Sequence, residues 1–222
     1  MTFGPLSTVT YAINDVSFDM VRLPPGRFVD GEGPTRRELL VSRPFQLGLT
    51  PVTQALWRAV TGSSPANFKG EDRPVEQISH DDVQAFLSRL LAFGLTGFRL
   101  PTEAEWAWAA RCGASTRWAG ADRSKPVAVA GASQTGLVAG LSPGPAGISD
   151  QSGNVWEWVE DWDQGSPAPG IDPRGPASGS RRVVRGGSWS DAPQFAGVAG
   201  RLSGTPGLRG DILGVRLLRT AP

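Results

Sequence analysis

The sequence predicts one α+β domain in which irregular loop outweighs regular structure, and three observations predict it. Glycine occurs 29 times and proline 19 times in 222 residues, so the backbone is punctuated too often for long helices. Two segments, opening at Ser79 and Thr102, carry the capping pattern and apolar spacing of short amphipathic helices. The other apolar runs are short, extended and bounded by turn residues. Hydrophobic residues make up 39% of the chain, enough for a substantial core, and eight tryptophans supply large anchors for it. No internal repeat or low-complexity linker divides the chain, so residues 1–222 read as a single domain with its core at about 20–219.

Met20 to Phe28 reads as a strand, a Pro-Pro-Gly turn and a second strand. Leu39 to Leu49 is extended and broken at Pro44. Thr53 is placed to cap a short helical run with Leu56, Trp57 and Val60 on one face. From Ser79, with Asp82 three residues on, Val83, Phe86, Leu87, Leu90 and Leu91 form an apolar stripe. His80 falls in the first turn, where a packing or surface role accounts for it better than catalysis. Thr102 and Glu105 form a second capping box, and Glu103 and Glu105 both sit at the positive end of that helix. Capping therefore explains the two acids without a paired acid–base site. Gly113 is placed to end the helix, leaving Cys112 as a small buried hydrophobe. Gly113 to Ile148 reads as loop, and Arg182–Arg185 and Leu213–Arg219 as strands. Trp156 and Trp158 alternate with Glu157, so both rings are expected on one face. They are expected in the core, with Trp189.

Composition excludes several function classes. The net charge of +1 provides no field to recruit nucleic acid or an anionic membrane. One cysteine permits no intrachain disulfide, and one histidine excludes a site needing two imidazoles. No stretch approaches the ~20 apolar residues of a membrane span. The opening MTFGPLSTVT lacks a basic start and an apolar run, so a cytoplasmic protein is expected. Arginine replaces lysine everywhere but Lys69 and Lys125, which suggests a GC-rich bacterial genome and a thermophile.

Four ordered stretches carry a family resemblance: RLPTEAEWAWAAR (Arg99 to Arg111), GNVWEWVEDW (Gly153 to Trp162), RVVRGGSW (Arg182 to Trp189) and GVRLLR (Gly214 to Arg219). Together they resemble the formylglycine-generating-enzyme (sulfatase-modifying factor) domain, a variant of the C-type lectin fold. The resemblance implies a small, twisted, mostly antiparallel sheet, two helices and extensive loops. The enzyme of that name is an oxidase that binds copper through two cysteines shortly after the GGS motif. By register those positions here are Asp191 and Ala196, from which no thiolate site can be built. Another branch uses three histidines for iron. The resemblance thus comes without either redox chemistry, and a non-catalytic binding protein is expected, with no copper or iron. The rival is an oxidase with an unrecognised site.

Two candidate sites follow. Asp150, Gly153, Val155 and Glu157 offer two carboxylates and two backbone carbonyls, a set suited to calcium. Family members often bind calcium around this segment. Equally, Glu157 caps or pairs with a nearby arginine. The second site is the stretch after Trp189, which in relatives tends to be rich in asparagine. Here Ser190 to Leu213 has none. In its place stand Ser190, Asp191, Phe195, Leu202, Ser203, Gly204, Thr205, Leu208, Gly210 and Asp211, between the framework residues Pro193, Arg201, Pro206 and Arg209. This resembles the variable proteins of diversity-generating retroelements, in which adenine mutagenesis scatters asparagine codons. Divergence in a GC-rich genome is the competing explanation. With neither strand alternation nor a helical stripe, the stretch is expected to be surface loop, and its mixed chemistry suits a protein or other macromolecular ligand.

Overall fold

The computed structural model describes residues 6–31, 33–119, 128–165 and 169–220. It opens with an antiparallel hairpin, β1 (Thr8–Ile13) and β2 (Val16–Leu23). Pro24 and Pro25 part β2 from β3 (Gly26–Asp30), as the turn pattern predicts, but the two strands join different sheets. Gly26 admits no side chain, because a Cβ would lie 2.2 Å from Cζ2 of Trp108. The indole N–H of Trp108 donates to the Pro24 carbonyl at 2.9 Å, so the ring is locked beneath the corner. β4 (Arg37–Val41) and β5 (Phe45–Gly48) follow, parted at Pro44.

Three helices come next, one more than the family resemblance implies. In α1 (Gln54–Thr61) the Thr53 hydroxyl accepts from the Leu56 N–H, and Leu56, Trp57 and Val60 are buried. In α2 (His80–Ala92) Ser79 and Asp82 form the full reciprocal capping box. Val83, Phe86, Leu87 and Leu90 face the core, but Leu91 is 59% exposed, because one further residue rotates it off the stripe. After β6 (Phe98–Arg99), α3 (Glu103–Arg111) starts from the Thr102–Glu105 capping box. Cys112 itself takes the left-handed cap conformation, one residue before Gly113.

The described part of 113–148 forms no strand beyond an isolated bridge at Val129. β7 (Trp156–Trp162), β8 (Gly170–Ile171), β9 (Arg182–Arg185), β10 (Arg201–Gly204), β11 (Leu213–Val215) and β12 (Leu218–Thr220) complete the chain. The closing strand read from the sequence is therefore two strands, broken at Arg216-Leu217. The implied single sheet is three: β1-β2-β5-β12-β6, β10-β9-β7-β11 and β3-β4-β8. Pairing is antiparallel except for β7 with β11 and β4 with β8.

Two apolar clusters fill the interior. One gathers Trp106 and Trp108 with residues of β3 and β4; the other gathers Trp156 and Trp158 with α1 and α2. Glu157 points the opposite way from its two tryptophan neighbours and is 1% exposed. Its carboxylate accepts from Trp106 Nε1 at 2.6 Å and from Arg216 Nη2 and Nε at 2.7 and 3.0 Å. Arg216, fully buried, also donates to the carbonyls of Gly48 and Ser149, both at 2.8 Å. An Arg216→Met variant leaves Glu157 buried and unpaired, and should lose about 3–5 kcal/mol of unfolding free energy in a urea titration.

Candidate ligand-binding face

Both ends of the stretch after Trp189 are anchored by backbone. Trp189 N–H donates to the Asn154 carbonyl, and its indole N–H donates to the Asp211 carbonyl at 3.0 Å. Its ring stands edge-on to Phe68 and is half-buried, not the full core residue expected. At the far end Gln77 N–H donates to the Gly210 carbonyl, and Arg209 grips the Asp82 carboxylate at 2.7 and 2.8 Å. Between them the chain is not plain loop: residues 193–195 form a 3-10 turn and β10 pairs antiparallel with β9. Arg181 donates to Ser203 Oγ at 3.0 Å, which ties that edge strand to the framework.

The ten candidate residues separate by exposure. Ser190, Phe195, Leu202, Thr205 and Leu208 are exposed; Asp191, Ser203, Gly210 and Asp211 are half-buried; Gly204 is buried. Asp191 has a structural task, since its carboxylate accepts from the Ser188 N–H at 2.8 Å and the Ser188 hydroxyl at 2.7 Å. A Cβ at Gly204 would meet Leu208 Cδ2 at 2.8 Å and Trp158 at 2.9 Å, so this position cannot present a side chain. Five of the ten are thus exposed, and sequence reasoning passed over exposed Gln194, which lies beside Phe195.

By register, the positions of the family's copper cysteines are Asp191 and Ala196. Asp191 is committed as a cap, and Ala196 is fully buried against Gly187, whose left-handed backbone (φ 82°) brings a would-be Cβ within 2.6 Å of Ala196 Cα. Cys112 is buried in the first cluster, and burial pushes its thiol up to about 11, so it stays a neutral thiol. His80 is buried edge-on to Trp158 at 6.0 Å between ring centroids. Burial, then the charge of Arg182, pushes its pKa down to about 4.

Of the four calcium candidates, Glu157 has its own arginine, as the alternative reading allowed. Asp150 is buried in a left-handed conformation and accepts from the Ala139 N–H at 2.7 Å. Burial raises its pKa, the Ala139 N–H and Arg216 lower it, and Glu157 raises it again. Gly153 and Val155 lie on the backbone between the two carboxylates, both buried.

Short sheets, capped helices and a face carried by a pinned irregular segment define a C-type-lectin-like α+β domain of the formylglycine-generating-enzyme type. The chain belongs to the family described as the sulfatase-modifying factor enzyme 1-like domain, which it matches over residues 12–221. It is 33% identical over 194 residues to the formylglycine-generating enzyme of Streptomyces coelicolor, covering 77% of this chain and 60% of that enzyme. It therefore spans less than two thirds of that relative's length. Among solved structures it is similar to Treponema denticola variable protein 1, at 31% identity and a TM-score of 0.88, covering 96% of this chain and 99% of that one. The Major Tropism Determinant U1 variant, 13% identical with a TM-score of 0.50, covers 91% of this chain and 63% of that one, and shares the fold alone.

The His80 ring carries a pH dependence. The folded state takes up its proton near pH 4, whereas an unfolded histidine does so near 6.5. The stability from the neutral ring is whole above pH 6.5 and is lost as pH falls through about 4. Replacing His80 with Phe should flatten the fall in Tm between pH 6.5 and 4.

Proposed function

We propose that this chain is a non-catalytic ligand-binding protein whose binding face is the exposed set Ser190, Phe195, Leu202, Thr205 and Leu208. One observation carries the reading. Three large apolar side chains, Phe195 (63% exposed), Leu202 (52%) and Leu208 (45%), stand in solvent on a segment whose backbone is held by groups outside it. Exposed apolar side chains gathered on one anchored segment support an interaction site. The similarity to Treponema denticola variable protein 1 supports the finer reading, a variable protein of a diversity-generating retroelement with a macromolecular ligand. The gene's neighbourhood should then contain a reverse transcriptase and a near-copy of the terminal segment. Ser substitutions at Phe195, Leu202 and Leu208 should each change unfolding free energy by no more than about 0.5 kcal/mol. If they unfold the protein, these side chains are core and the reading fails.

The identity to formylglycine-generating enzymes favours a second reading, an oxidase with an unrecognised site. Stoichiometric copper in purified protein, or turnover of a cysteine-containing sulfatase peptide, would establish it. The binding-protein reading also includes a structural calcium ion held by Asp150 and the carbonyls of Gly153 and Val155, without Glu157, whose carboxylate is taken by Arg216 and Trp106. Calcium should raise Tm in the parent protein and leave Asp150→Asn unchanged. An equal Tm with and without the ion in the parent removes the site.

A further inference from the structure

One stretch of sheet edge stands open beside α1. β2 pairs with β1 from Val16 to Val21, but with β5 only from Met20 to Leu23. After Gly48 the chain turns away. The Leu49 N–H donates to the Asp19 carbonyl at 2.8 Å, while the Leu49 carbonyl accepts from the Ser149 N–H at 2.9 Å. Val16 to Asp19 therefore meets no strand on the β5 side among the described residues. Because the Asp19 carbonyl faces that side, so do the N–H and carbonyl of Ser17, two residues back. They open onto a cavity of about 260 Å³ whose wall includes Phe18, Met20, Leu49, Val52, Leu56 and Leu217. Every wall residue has described residues on both sides of it in the chain.

The wall carries two charged side chains, Asp19 and Asp72, both negative and both exposed. Neither forms an ion pair among the described residues; the Asp19 carboxylate accepts the Thr10 hydroxyl at 2.6 Å. The neighbouring cations are turned elsewhere. Arg73 donates to the carbonyl and hydroxyl of Thr135, Arg58 pairs with Glu71, and Arg216 pairs with Glu157. Arg22, three residues beyond Asp19 on β2, points to the other face of the strand. The N–H groups that open α1 are taken by the carbonyls of Arg73 and Glu71 and by the Thr53 hydroxyl, so they leave no donor for an anion.

We infer that this groove binds a basic extended peptide, which adds to β2 as a strand in the line that β5 vacates. The open run of β2 is about 10 Å long, the reach of three to four extended residues. Backbone bonds to Ser17 set the register, the apolar wall takes alternate side chains, and the basic side chains between them meet Asp19 and Asp72. None of residues 190–211 lines the groove, so it is a second site, independent of the face proposed above.

The test titrates the capped peptide acetyl-Val-Lys-Val-Lys-Val-amide into the protein and follows the Ser17 and Asp19 backbone amides by NMR. Saturable shifts are expected in the parent and, with equal affinity, in the Leu202→Ser/Leu208→Ser double variant. Affinity should fall about tenfold in Asp72→Lys and about threefold in Asp19→Asn, which keeps an acceptor for Thr10. The same peptide methylated at every backbone nitrogen keeps its charge and should bind at least tenfold more weakly. Absence of saturable shifts in the parent overturns the site. Equal affinity of the methylated peptide overturns strand addition. Equal affinity in both aspartate variants, or for acetyl-Val-Glu-Val-Glu-Val-amide, overturns the basic ligand. Loss of binding in the double variant overturns the independence of the two sites.

Discussion

The Glu157–Arg216 pair is the constraint from which most of this fold follows. Two ionic groups this deeply buried are tolerable only when paired and fully hydrogen-bonded. Here the carboxylate takes two donors from Arg216 and one from Trp106, while the guanidinium finishes on the carbonyls of Gly48 and Ser149. The pair thereby joins β7, β5, α3 and the loop before β7. It also explains why the last strand breaks: at Arg216 the backbone must leave β11 before β12 pairs with β5. Three of the four family motifs meet at this point.

The fourth motif meets the rest at Arg185, which reaches Glu103 in α3, Asp30 in β3 and the Val198 carbonyl. With a single cysteine the chain has no covalent staple, and buried arginine takes the part of one. Each guanidinium offers five donors in a fixed fork, so one side chain can fix several loops at once. A loop-rich domain with short strands gains more from that than a large sheet would, because its backbone leaves many carbonyls without ladder partners.

Much of this was legible in the sequence because it is local. Thr53, Ser79 and Thr102 cap three helices through contacts only three residues long, and the Trp156–Trp158 alternation placed both rings in one cluster. The register of the sheets, the break at Arg216 and the strand β10 were not legible, since each depends on partners far away in the chain. Of the ten residues expected at the surface after Trp189, five are exposed and five are half-buried or buried. Asp191 and Gly204 look like any polar or small loop residue until Ser188 and Trp158 are seen beside them.

The anchoring of the terminal segment has a consequence for heredity. Its course is set by carbonyls and N–H groups, which every residue but proline supplies alike, and by Arg181, Asp191, Arg209 and Trp189. A population of gene copies differing at its outward positions would consist almost wholly of members that fold. Selection could then act on what each copy binds, with few lineages lost to misfolding along the way.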